Sequence, residues 1–238
     1  MEFLDYFLPP VLIDLVYDYS GECVMNGVLM DKDQFLKKMK EAITVQFLRP
    51  ITLTKCCFGE KLQSIEGKVT LVGDVSHMFY HCSKFNSPVD FDTSSVTDMS
   101  YMFCGCTRFN QELKFDTSSV IDMFFMFSGC INFNQELKFD TSSVTNMSYM
   151  FSECSNFNQE LKFDTSSVTN MACMFYGCAN FNQELKFDTS NVTDMRGMFS
   201  RCRNFNQELK FDTSNVTNMA CMFYGCGSLA ALPAFYHV

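Results

Sequence analysis

The sequence contains no Trp, only 5 Pro and 3 His, and a charged fraction of 19%. Each scarcity excludes something. Three His (His77, His81 and His237) leave little material for imidazole chemistry. No run of Lys and Arg occurs, and the net charge is −9 with a pI near 4.8. A nucleic-acid binder needs a basic stripe to displace counterions from phosphates, so nucleic acid is not an expected partner. An anionic membrane surface is disfavoured on the same ground. No apolar run is long enough to span a bilayer. Phosphate-binding loops, nucleophile elbows and other enzyme motifs are missing, so catalysis is not expected. Met1 to Tyr19 carries Glu2, Asp5 and Asp14, lacks a basic start and is broken by Pro9-Pro10. That makes a poor signal peptide, and an intracellular, reducing location is expected.

What is present is heavily skewed. Apolar residues make up 47% of 238 residues, with 27 Phe, 17 Met and 13 Cys. Such a skew follows when a few core positions are copied many times. Aligning the chain on Cys82, Cys106, Cys130, Cys154, Cys178, Cys202 and Cys226 gives a step of 24 residues throughout. Phe lies three positions before each of these Cys, always preceded by Met. Units this short cannot bury a core alone and must stack on their neighbours.

Each unit divides into two halves. Leu113-Lys114-Phe115 alternates apolar and polar residues, which predicts a short parallel strand with Glu112 and Lys114 outward. Asp116-Thr117-Ser118-Ser119 is a turn whose side chains suit nearby backbone N–H groups. Met123, Met126, Phe127 and Cys130 follow an i, i+3, i+4, i+7 pattern, which predicts a short helical turn. Asp122 would cap it and Gly129 would end it. The expected fold is therefore an α/β solenoid: about seven coils of strand and helical turn over residues 71–238, with a sheet rung near 4.8 Å. Residues 1–70 form a separate helical capping region. Phe3 to Tyr19 and Asp31 to Ile43 are its two expected helices, and Leu229 to Phe235 reads as a C-terminal cap.

The Cys column gives no metal site. Zinc needs four ligands converging on a point, whereas a column gives a line. Neighbouring Cys would have parallel Cβ vectors, the wrong geometry for disulfides. Free core thiols are expected, with neither metal nor cofactor.

The segments Met126-Phe127-Ser128-Gly129-Cys130, Phe-Asn-Gln and Asp-Thr-Ser-x-Val-Thr-x-Met resemble the BspA-like leucine-rich repeats, most closely their DUF285 variant. The resemblance covers about 165 residues. It implies a leucine-rich-repeat solenoid, of a kind found in bacterial surface proteins, protists and large DNA viruses. This chain has Phe115 and Phe139 where such repeats often carry Trp. Leu8 to Tyr17 resembles the opening of an F-box, which implies a Skp-like partner through Leu8 to Tyr19.

Two surfaces stand out. Glu112, Glu136, Glu160, Glu184 and Glu208 form one outward row, and Lys114, Lys138, Lys162, Lys186 and Lys210 another. Together they make a zwitterionic face, better suited to solubility than to choosing one target. The variable positions Tyr101, Arg108, Phe124, Phe125, Tyr149, Tyr176, Arg196, Arg201, Arg203 and Tyr224 lie on the opposite edge. Exposed aromatics with Arg are interface material. The expected function is non-enzymatic protein binding or self-assembly, as a scaffold or as part of an assembly such as a virus particle. An F-box-type adaptor for a ubiquitin ligase and a surface adhesin are the alternatives.

Overall fold

The computed structural model describes residues 57–236, and within the first 56 only residues 11–13, 16–17, 23–25, 28–30, 37, 39–42, 44–47 and 51–53. The strands are β1 (Val11–Ile13), β2 (Val16–Tyr17), β3 (Cys23–Met25), β4 (Val28–Met30), β5 (Thr44–Phe47), β6 (Ile51–Leu53), β7 (Ser64–Glu66), β8 (Val69–Asp74) and β9 (Phe91–Asp98). They form three small sheets: parallel β1-β5-β7, antiparallel β2-β3-β4, and parallel β6-β8-β9.

The expected N-terminal helix is not formed in its described part. Val11 pairs with Val45 and Ile13 with Phe47, while Val16 pairs with Val24. Val, Ile and Tyr favour a pleated strand over a helix, and pairing decides between them here. The helix expected over Phe3 to Tyr19 is therefore corrected to strand at residues 11–13 and 16–17, while its other residues, Leu8, Pro9 and Pro10 among them, lie outside the described residues. Of the second expected helix, Lys37, Met39, Lys40 and Glu41 are helical and Ala42 is not; the remainder lies outside the described residues. The boundary expected after residue 70 falls inside β8.

Beyond β9 the repeat takes over. Single parallel bridges continue the sheet, joining Asp98, Asp122, Asn146, Asn170, Asp194 and Asn218 in turn. The helical turn expected after Asp122 is absent. Instead, alternate amides point to the next repeat. Tyr101 N–H donates to Phe124 O at 2.8 Å, Phe103 to Met126 at 2.8 Å, and Gly105 to Ser128 at 2.7 Å. The amides between them close four-residue turns, as Met126 N–H does to Met123 O and Cys130 N–H to Phe127 O. Two residues in each turn segment sit in the left-handed region, for example Phe125 (φ 55°) and Gly129 (φ 73°). A right-handed helix cannot pass through them.

The ladder thus lies on the Met123 to Gly129 side. The expected sheet on the Leu113 to Phe115 side is corrected: those residues are extended, but no hydrogen bond joins them to neighbouring repeats. Spacing shows the consequence. Rings of successive repeats lie 5.6 Å apart from Phe103 to Phe127 and 6.4 Å apart from Phe115 to Phe139. The repeats close up where amides bond and splay where they do not.

The core is three columns of Phe with Met, Val, Leu and Cys between them. Phe103, Phe127, Phe151, Phe175 and Phe199 are 0% exposed, as are Phe109, Phe133, Phe157, Phe181 and Phe205. Leu113 and Phe115 point inward as expected. Side-chain ladders tie the repeats together. Asn134 N–H donates to Asn110 Oδ1 at 2.9 Å, and the Thr117 hydroxyl to Asp140 O at 2.8 Å. Asp116 Oδ1 accepts the Ser118 amide and hydroxyl, which fixes the turn.

Candidate interaction face

The ladder side carries two columns of left-handed residues. One holds His77, Tyr101, Phe125, Tyr149, Cys173, Gly197 and Cys221; the other holds His81, Gly105, Gly129, Glu153, Gly177, Arg201 and Gly225. Left-handed backbone costs a side-chain-bearing residue roughly 1–2 kcal/mol, which glycine avoids. The second column follows that rule mostly. The first column breaks it four times in succession with rings.

Those rings stack. His77 lies on Tyr101 at 4.5 Å, Tyr101 on Phe125 at 5.0 Å, and Phe125 on Tyr149 at 4.3 Å, with planes within 11–19°. Phe124 meets Tyr101, Phe125 and Tyr149 edge on, and Tyr80 meets Tyr101 likewise. The identical 24-residue step fixes ring spacing, and the left-handed backbone turns each ring the same way. The result is a half-buried aromatic ridge. Of the residues expected at an interface, the fold brings Tyr101, Phe124, Phe125 and Tyr149 together here. His77 and Tyr80 belong to the same cluster, and the register could have found His77, one period before Tyr101.

The ridge stops at Cys173 and Gly197. Beyond it the Arg201 guanidinium lies 5.4 Å from the centre of the Tyr176 ring. Arg196 pairs with Asp194 at 3.5 Å, and Tyr224 is 67% exposed. Arg108 and Arg203 are exposed and join no cluster.

Burial shapes the acid–base behaviour of this face. It pushes the Tyr101 phenol up, helped by Cys104. A hydrogen bond with Cys173 pushes Tyr149 up, with burial second. Burial also raises Asp122, against the Phe124 amide that its carboxylate accepts.

The opposite face holds the Glu and Lys rows, outward as expected. Lys138 reaches Glu136 at 3.9 Å, Lys162 reaches Glu160 at 3.6 Å, and Lys186 reaches Glu184 at 3.9 Å. The pairs form within a repeat; Glu112 with Lys114 and Glu208 with Lys210 do not close to that distance. Shallow grooves run between the splayed repeats, one of them floored by Leu137 and Phe139. Among the described residues no three His, Cys, Asp or Glu gather as a metal site. No described helix is long and apolar enough to cross a membrane.

The structure fits what sequence comparison finds. The model of the family described as "Mycoplasma protein of unknown function, DUF285" matches residues 59–162 and 161–232. No curated protein and no solved structure matches the chain. With the repeats, their register and the matched residues in agreement, the chain belongs to the DUF285 family.

Proposed function

We propose that this chain is a non-enzymatic, leucine-rich-repeat-like solenoid that binds a protein partner through its aromatic ridge. One observation carries the reading: four rings stacked in succession at left-handed backbone positions. Gly197 shows that the repeat accepts glycine in that column. Rings there oppose backbone preference, and strain retained against preference concentrates at functional sites. The core does not need them, since it is already filled by the inner Phe columns. Half-exposed Tyr and Phe supply large contact area with few rotamers to freeze. The Glu and Lys face, nearly identical in each repeat, has little with which to select one target.

Phe125→Asn with Tyr149→Asn tests this. Asn tolerates left-handed backbone, so folding should survive. Proteins captured by the full chain from cells of its source should be lost with the double variant and kept with Lys138→Ala. Equal capture by both variants would refute the ridge as the binding face.

A further inference from the structure

We propose that the last ladder, from Met219 to Gly225, is a docking edge for an acidic, Asp/Glu-rich peptide segment. The inference deepens the protein-binding reading and names the chemistry of one partner.

The argument begins with the direction of the ladder bonds. The peptide unit joining Phe124 to Phe125 accepts Tyr101 N–H through its carbonyl and donates through Phe125 N–H to Ser148 O. The unit joining Ser148 to Tyr149 passes the chain on to Ala172 O. Cys173 N–H passes it to Arg196 O, and Gly197 N–H to Ala220 O. Three parallel chains begin at Val75, Phe79 and His81 and run the same way. In all four, every N–H points toward the later repeats. Aligned peptide dipoles add head to tail, as in a helix, and leave positive charge where the N–H groups end. They end at Met219, Cys221, Phe223 and Gly225, whose amides have no acceptor among the described residues. Leu229 to Tyr236 packs on the rings, with Phe235 stacked on Phe211 and Tyr236 edge on to buried Phe223, and it leaves Cys221 and Gly225 exposed.

Two flanking chains run the other way, through Thr217 N–H to Thr193 O and Ser228 N–H to Arg203 O, but between them the row from Met219 to Gly225 presents donors alone, and that selects its occupant. Two copies meeting at this edge would oppose N–H to N–H. The acceptor end of the array is partly taken, because Met78 O already accepts Phe58 N–H at 2.8 Å and Phe58 stacks on Phe79. An ordinary extended strand presents donors and acceptors in turn along its edge, so half its groups would clash with donors. Carboxylates accept only.

Side-chain charge agrees. The molecule is acidic overall, yet Arg201 and Arg203 are two of its five Arg, and no Asp or Glu follows Asp212; Arg196 is already paired with Asp194. Arg201 is bonded directly under the edge, its N–H to Tyr224 O, and its side chain runs beside Gly225. Exposed Tyr224 and Leu232 offer apolar contact at the rim.

The test uses the full chain, labelled with nitrogen-15, and a short Glu-rich peptide. Its Gln counterpart and inorganic phosphate are the controls. The Glu peptide should shift the amides of Met219, Cys221, Phe223 and Gly225, and the Gln peptide should not. Arg201→Glu with Arg203→Glu should weaken binding about tenfold or more, and Lys210→Glu on the far face should leave it intact. Phe125→Asn with Tyr149→Asn should also leave it intact, which separates failure at this edge from failure at the ridge. Shifts confined to other amides would overturn the proposal. So would equal binding of the Gln peptide, equal loss in Lys210→Glu, or phosphate displacing the peptide at matched concentration.

Discussion

The Cys130 thiol donates to the carbonyl oxygen of Phe103, 27 residues earlier, at 3.0 Å. The same oxygen accepts Cys106 N–H at 2.9 Å, so both of its lone pairs are used. The relation recurs from Cys106 to Phe79, Cys154 to Phe127, Cys178 to Phe151 and Cys202 to Phe175. Sulfur fills space against the rings while its proton bridges repeats. Cys130→Ala leaves a cavity but no orphaned carbonyl, since Cys106 N–H remains. It should therefore cost only about 1–2 kcal/mol, read from the urea midpoint. An unchanged midpoint would show that the column is filler. The same burial predicts reactivity. Cys106, Cys130, Cys154, Cys178 and Cys202 are 0% exposed, whereas Cys221 is exposed and Cys173 half-buried. Among the described cysteines, iodoacetamide followed by mass spectrometry should modify Cys221 first and those five only on unfolding.

Stability should fall at both ends of the pH range. The Asp116 carboxyl is held below its ordinary value by the Ser118 hydroxyl and then its amide. Asp92, Asp140, Asp164 and Asp188 behave alike, and the Ser214 amide leads at Asp212. A carboxyl lowered in the folded state adds stability above its unfolded value, about 4, and loses it as pH falls through the folded value. Asp122, raised by burial, works in the opposite sense, but the lowered column outnumbers it. Thiols mirror this at high pH. Burial pushes Cys82 up to about 12 and Cys104 to about 11, and it raises Cys130 and Cys178 strongly. Their contribution is full below the unfolded value of about 8.5 and is lost as pH rises toward the folded ones. Melting temperatures across pH should form a plateau with an acid and an alkaline shoulder. Cys130→Ala with Cys178→Ala should soften the alkaline shoulder alone.

The Glu and Lys rows should matter little to folding. Lys162 and Glu160 are 73% and 61% exposed in their side chains, so water screens them well. Exposed pairs contribute about 0–1 kcal/mol and weaken with salt. Lys162→Ala should leave the urea midpoint within error at physiological salt. A clear loss would mean that the row acts as a network.

Much of this could be read from the chain. The 24-residue step placed every Phe, Met and Cys column, and those columns are the core. Leu113 and Phe115 inward, with Glu112 and Lys114 outward, followed from alternation alone. The helical turn did not follow. Met123, Met126, Phe127 and Cys130 do share one inward face, but periodicity reports which side chains are buried and not where amides bond. The amides of Phe125 and Phe127 reach the next repeat, a non-local choice that no local pattern records. The glycines at 105, 129, 177 and 225 carried the signal of a left-handed position and were consistent with a helix end. The first left-handed column was illegible because Tyr101, Phe125 and Tyr149 occupy it in place of glycine. The ridge residues were recognisable as variable aromatics, but their stacking depends on that hidden backbone.

The two left-handed columns together support a prediction. At Gly129 an added Cβ would find its nearest neighbours 3.6 Å away, so space is not limiting; the φ of 73° is. Gly129→Ala should cost about 1–2 kcal/mol from backbone strain alone. Gly177→Ala should cost a similar amount: its Cβ would lie 2.7 Å from a Glu153 carboxylate oxygen, but that exposed side chain can swing aside, and the φ of 72° remains. Phe125→Gly inverts the logic. It removes the stacks with Tyr101 and Tyr149, a loss of about 0.5–1.5 kcal/mol each beyond area. It also releases strain of similar size. Its urea midpoint should therefore lie closer to the parent than that of Gly177→Ala, although a whole aromatic side chain is gone. If Phe125→Gly were instead the most damaging of the three, the ridge would be part of the protein's stability. The strain argument for its function would then fail.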